Sequence, residues 1–155
     1  MRQKPWKTYL WTIVPTVAGG AIAGLLSGSG GDYQGVIKPP ASPQGWVFPA
    51  VWTVLYLLMA IGLAAVINAE PAQRGGAVKL YTAQLLVNYL WPFFFFRWEM
   101  RGFAVLWLLL LVVLAAAMTL RFERSVPKAA YLQIPYLIWL CFAVYLNIGT
   151  WLLNR

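Results

Sequence analysis

The chain of 155 residues has no histidine, one cysteine and only four acidic residues, and charged side chains make up 10% of it. Without histidine there is no Ser-His-Asp or Cys-His catalysis, no His-ligated zinc and none of the usual proximal haem ligand. A single cysteine, Cys141, forms no intrachain disulfide, and its place in an apolar run suggests a small core residue. The shortage of charge is the more general exclusion. Soluble domains carry about 25% charged residues, so this composition does not describe a water-soluble globule.

What is abundant is apolar and aromatic: 61% of residues are hydrophobic and nine are tryptophan. The charges cluster and leave five uncharged runs, at 8–31, 39–69, 80–96, 102–120 and 129–154. A spanning helix needs about 20 apolar residues, with about 17 as the lower limit. We therefore expect one all-α membrane domain over 1–155, a bundle of five transmembrane helices at about 8–28, 46–69, 80–96, 102–120 and 127–153. The basic head Met1–Lys7 followed by Ala21-Ile22-Ala23 imitates a cleavable signal. The apolar run continues past that tripeptide, which favours a retained first helix. Pro135, well inside the fifth segment, predicts a kink.

Between Ser27 and Gln44, glycines, serines, Lys38-Pro39-Pro40 and Pro43 interrupt any helix. This is the longest loop, and its Tyr33, Val36 and Ile37 suit a lid rather than a solvated tether. Net charge is +8, but the basic residues flank hydrophobic runs, which points to a bilayer and not to nucleic acid. Eight Lys and Arg fall on the N-terminal side and four on the other, placing the N-terminus in the cytoplasm if the membrane is a bacterial inner one. Trp6, Trp11, Trp46, Trp98, Trp107 and Trp151 lie near segment ends, where indoles settle at headgroup depth.

No ionisable residue falls at mid-membrane depth, which disfavours an ion-coupled transporter such as the small multidrug exporters. The neutral polar groups form stripes. Tyr81, Gln84, Asn88, Trp91 and Phe95 are spaced 3, 4, 3 and 4, on one face of the third segment. Tyr136, Trp139, Ala143, Asn147 and Thr150 repeat the pattern on the fifth, and Trp52 and Tyr56 lie one turn apart on the second. Two readings stay open: interhelical hydrogen bonds that glue the bundle, or a pocket for a flat, mostly apolar ligand. The fourth segment has no polar face and is expected to face lipid or a second subunit. Gly20, Gly24 and Gly28 form overlapping GxxxG spacings that serve packing within the chain or dimerisation equally well.

Three motifs carry a family resemblance: Tyr33-x4-Lys38-Pro39-Pro40 through Trp46-Val47-Phe48-Pro49-Ala50-Val51-Trp52 to Tyr56; Tyr81-Thr82-Ala83-Gln84-Leu85, Asn88, Trp91-Pro92 and Phe95-Phe96; and Pro135-Tyr136-Leu137, Trp139-Leu140, Phe142-Ala143 and Leu146-Asn147. Together they resemble the TspO/MBR family of tryptophan-rich sensory proteins and translocator (peripheral-type benzodiazepine receptor) proteins. The resemblance implies a homodimer of five-helix bundles with a pocket opening toward the long loop. It also implies binding of tetrapyrroles such as protoporphyrin IX, of sterols and of benzodiazepine-site ligands, with no cofactor or metal. The implied ligand-binding residues are Tyr33 and Pro40 in the loop; Trp52 and Tyr56; Gln84, Asn88 and Trp91; and Trp139, Phe142, Ala143, Leu146 and Asn147. The sterol pattern of animal relatives is broken, because Ile148 follows Leu146-Asn147 where a tyrosine would stand.

Three functions compete on these grounds. One is a receptor or carrier of porphyrins with a sensory or tetrapyrrole-homeostasis role. Another is light- and oxygen-dependent porphyrin degradation through Trp52 and Trp139, although no acid-base or nucleophilic apparatus is present. The third is transport of sterol or tetrapyrrole, which the lack of an inverted repeat supports little.

Overall fold

In a computed structural model, which describes residues 4–29, 35–69 and 72–155, the described residues form helices and no strands. The helices are α1 (Pro5–Ser27), α2 (Val47–Ala69), α3 (Arg74–Pro92), α4 (Arg101–Ser125), α5 (Pro127–Tyr131) and α6 (Ile134–Leu153). Phe93–Arg97 continues α3 as a π-helical turn. Pro92 has no N–H to give to the preceding turn, and the ladder then widens, with Trp98 N–H reaching Phe93 O at 2.8 Å.

α5 and α6 together make the fifth crossing. Pro135 does not kink a continuous helix; the chain breaks at Leu132-Gln133, and Pro135 falls in the first turn of α6, where its missing N–H goes unneeded. Gln133, fully buried at the break, donates to the carbonyls of Ala129 at 3.1 Å and Leu58 at 3.4 Å. The N-terminal helix starts at Pro5 and α3 at Arg74, each earlier than the charge-free runs suggest.

α1, α2, α4 and the α5–α6 segment are each long and apolar enough to cross a bilayer. α3 is less apolar because its inward face is polar, with Tyr81, Gln84 and Asn88 buried. Tyr81, Asn88 and the Gln84 carbonyl are paired with neighbouring helices instead of with lipid, while Gln84 Nε2 is buried without a partner. The core is filled by Met59 and Leu63 of α2, Leu108, Leu111, Met118 and Phe122 of α4, and Tyr136 and Leu140 of α6.

Two expectations are corrected here. α4 does not simply face lipid: Ala104, Leu108, Leu111, Ala115, Met118 and Phe122, spaced 4, 3, 4, 3 and 4, are buried in the core. Its opposite side, with Leu106, Leu110 and Val113, is exposed. A helix that is apolar all round conceals its inward face because hydrophobicity alone cannot distinguish core from lipid. Cys141 likewise is exposed on α6 and is not a core residue.

Of the GxxxG glycines of α1, Gly20 meets another helix of the same chain, as does its neighbour Gly19, while Gly24 meets only Ser29. A Cβ on Gly19 would stand 2.8 Å from the Tyr89 ring, and one on Gly20 would enter the ring of Tyr56. Gly28, at φ 77°, closes α1 as a left-handed cap.

Candidate functional site

The loop-side halves of α1, α2 and α3 enclose a cavity of about 350 Å³. α1 supplies a low wall of Val17, Gly20, Ala21, Ala23 and Gly24, whose small side chains leave the space open. α2 supplies Phe48, Pro49, Trp52, Thr53 and Tyr56, and α3 supplies Asn88, Trp91, Pro92 and Phe96. Because the three helices run alternately, these residues come from the C-terminal half of α1, the N-terminal half of α2 and the C-terminal half of α3, so the cavity lies at the long-loop end.

Its floor is a chain of side-chain hydrogen bonds across three helices. Tyr56 OH donates to Asn88 Oδ1 at 2.8 Å, Asn88 Nδ2 donates to Tyr136 OH at 2.9 Å, and Tyr136 OH donates to Gln84 Oε1 at 2.8 Å. All four residues are buried. A second tie lies below it, where Thr16 Oγ1 and Tyr81 OH are 2.7 Å apart. Buried polar groups are retained in apolar surroundings when they are paired in this way. The network therefore fixes the orientation of the Tyr56 hydroxyl and the Asn88 amide at the cavity surface. The walls are aromatic: Trp52 stacks on Tyr56 at 5.5 Å and meets Tyr136 edge-on at 6.3 Å, and Trp91 stacks on Phe95 at 5.2 Å.

The sequence-derived residues divide into groups. Trp52, Tyr56, Asn88 and Trp91 line the cavity together. Gln84 lies beneath it and holds Tyr136. The α6 residues stand behind the lining: Asn147 Oδ1 accepts from Trp91 Nε1 at 3.0 Å, and Asn147 Nδ2 donates to Arg101 O at 3.0 Å. Trp139 packs edge-on against Phe48 at 5.9 Å and against Phe142 at 5.5 Å, while Ala143 and Leu146 are buried. Pro40 is exposed, and its carbonyl accepts from Tyr145 OH at 2.8 Å. Tyr33 lies outside the described residues.

The loop is strapped to the end of α6. Asn154 Oδ1 accepts from Ile37 N–H at 2.9 Å, and Asn154 Nδ2 donates to Ile37 O at 2.8 Å, as a neighbouring strand would. Val36 is half-buried and Pro39 buried, but Ile37, expected to pack, is 59% exposed, and the described loop residues 35–46 dock on α6 without lining the cavity. The contribution of α1 to the cavity was not expected from the residue stripes. Its signal was available in Ala18-Gly19-Gly20-Ala21, where small residues leave room opposite large aromatics.

The arrangement offers stacking surface with a few fixed polar groups, and the described lining residues include no carboxylate, lysine, arginine or cysteine. A family model described as the TspO/MBR family matches residues 11–152. The translocator protein of Bos taurus is 34% identical over 160 residues, covering 97% of this chain and 92% of the relative. The translocator protein of Homo sapiens is 39% identical over 122 residues, covering 77% and 72%. The tryptophan-rich sensory protein of Cereibacter sphaeroides is 34% identical over 149 residues, covering 96% and 92%.

Proposed function

The chain belongs to the TspO/MBR family, as an integral multi-pass membrane protein, and from that premise we propose that it is a sensory receptor for a flat, mostly apolar small molecule of the tetrapyrrole class. The observation that carries the proposal is the cavity beside Trp52, Tyr56, Asn88 and Trp91, with its volume of about 350 Å³. Ligand sites span about 300–1,000 Å³, so a protoporphyrin seats one edge between α2 and α3 and extends toward the loop. Trp52 and Trp91 stack on the macrocycle, and Asn88 and the Tyr56 hydroxyl meet its polar edge. Asn147 holds the Trp91 indole, Trp139 braces Phe48 and Phe142 packs on Trp139, and the loop residues Tyr33 and Pro40 are proposed as further ligand contacts. Benzodiazepine-site ligands use the same space, and the protein acts as a homodimer.

Titration of the purified protein with protoporphyrin IX, followed by tryptophan quenching, tests this reading. Trp52→Ala and Asn88→Ala are each expected to weaken binding about tenfold, the effect of losing about 1.4 kcal/mol. Unchanged affinity in both would reject it. Photooxidative breakdown of the bound porphyrin is a second reading, favoured by the oxidisable Trp52–Tyr56 stack in the cavity wall. Loss of the Soret band under illumination that is slowed by Trp52→Phe would support it; bleaching at the wild-type rate would not.

A further inference from the structure

A second concavity, of about 410 Å³, lies between the start of α4 and the end of α6, on the loop side of the bundle. Its lining includes Glu99, Arg101, Gly102, Phe103, Trp151 and Arg155. The Arg101 side chain is only 16% exposed, and its Nε is buried without a hydrogen-bond partner. Its ion pair among the described residues, to Glu99 Oε1, is long at 3.7 Å, and the Glu99 side chain is 69% exposed. A guanidinium has five donors; this one lies over the Phe95 ring at 6.0 Å and keeps at least its Nε donor unspent. Trp151 lies across Gly102, where a Cβ would stand 3.0 Å from the indole nitrogen, and this places an aromatic face in the same cleft. Glu99 takes φ 52°, a left-handed conformation that a non-glycine residue adopts at some expense in energy and that is retained mainly where it serves a purpose.

We propose that this cleft binds the headgroup of a zwitterionic phospholipid carrying a phosphate and an ammonium. Arg101 and Arg155 take the phosphate, with Arg101 positioned for a charge-assisted pair. Glu99 and the face of Trp151 take the ammonium, through an ion pair and a cation–π contact. A purely anionic headgroup would set its charge against Glu99, whereas a zwitterion satisfies both signs at once. The depth fits: the cleft lies where two spanning segments end, beside Trp98 and Trp151, which are 51% and 39% exposed. Phe103, exposed just inside the rim, offers apolar surface to an acyl chain. None of this depends on the tetrapyrrole cavity, whose lining shares no residue with the cleft.

Native mass spectrometry of the full chain released from mixed micelles of phosphatidylethanolamine and phosphatidylglycerol tests the proposal. The wild type is expected to retain phosphatidylethanolamine about tenfold better than phosphatidylglycerol. Glu99→Gln is expected to abolish that preference, and Arg155→Gln to reduce retention of both lipids. Both side chains are exposed, so folding is not at stake. Equal retention of the two lipids by the wild type, or an unchanged preference in Glu99→Gln, would overturn the proposal. Full displacement by chain-free O-phosphoethanolamine would overturn the assignment to a lipid.

Discussion

The phenol ring of Tyr56 lies directly over Gly20, and its hydroxyl donates to Asn88 at 2.8 Å. One missing methyl group on α1 therefore decides whether an α2 side chain can reach its partner on α3. The two contacts join the three helices that form the cavity.

Gly20→Ala pushes the Tyr56 ring away and strains the bond to Asn88. Overpacking of this kind amounts to about 1–3 kcal/mol, so a clear fall in the thermal midpoint in detergent is expected. Gly75→Ala, where a Cβ meets open space in α3, is the matched control and should be neutral or slightly stabilising. Equal behaviour of the two variants would show that the Tyr56–Gly20 contact is unimportant.

Asn154→Ala removes both side-chain bonds that hold Ile37 to the end of α6. Each bond is worth about 0.5–1.5 kcal/mol at most on this exposed surface. Hydrogen exchange at the Ile37 amide should accelerate, with α2 and α4 unaffected. Unaltered exchange would mean that the strap is held by other contacts.

Cys141 faces outward from a membrane-spanning helix. A lipid-soluble diazirine, whose photogenerated carbene inserts without needing the thiolate, is therefore expected to label the Cys141 side chain in the folded protein within a bilayer, and a charged, water-soluble maleimide is not. Resistance to both reagents until denaturation would return Cys141 to the core.

The sequence stripes on α3 were informative because polar residues in an apolar helix can point only inward, and Tyr81, Gln84 and Asn88 are all buried. Trp91 and Asn147, 56 residues apart in sequence, were both marked by spacing and are directly bonded. Less legible was anything carried by apolar or small residues. The inward face of α4 is as hydrophobic as its lipid face, so its core role could not be read from composition. Ala21 and Gly24 of α1 are legible only as small residues, a signal that fits helix packing as well as the space they create beside the aromatics. The break at Gln133 depends on where Pro135 falls in a helical turn, which requires knowing where the preceding turn ends.

The central claim is that the ligand occupies the space between α1, α2 and α3, and filling that space tests it most directly. Ala21 lines the cavity and is otherwise exposed, so Ala21→Phe inserts a ring there without disturbing the core. Equilibrium titration with protoporphyrin IX should show affinity reduced about tenfold or more, with an unchanged thermal midpoint in the absence of ligand. Wild-type affinity in Ala21→Phe would contradict the account and place the ligand elsewhere on the protein.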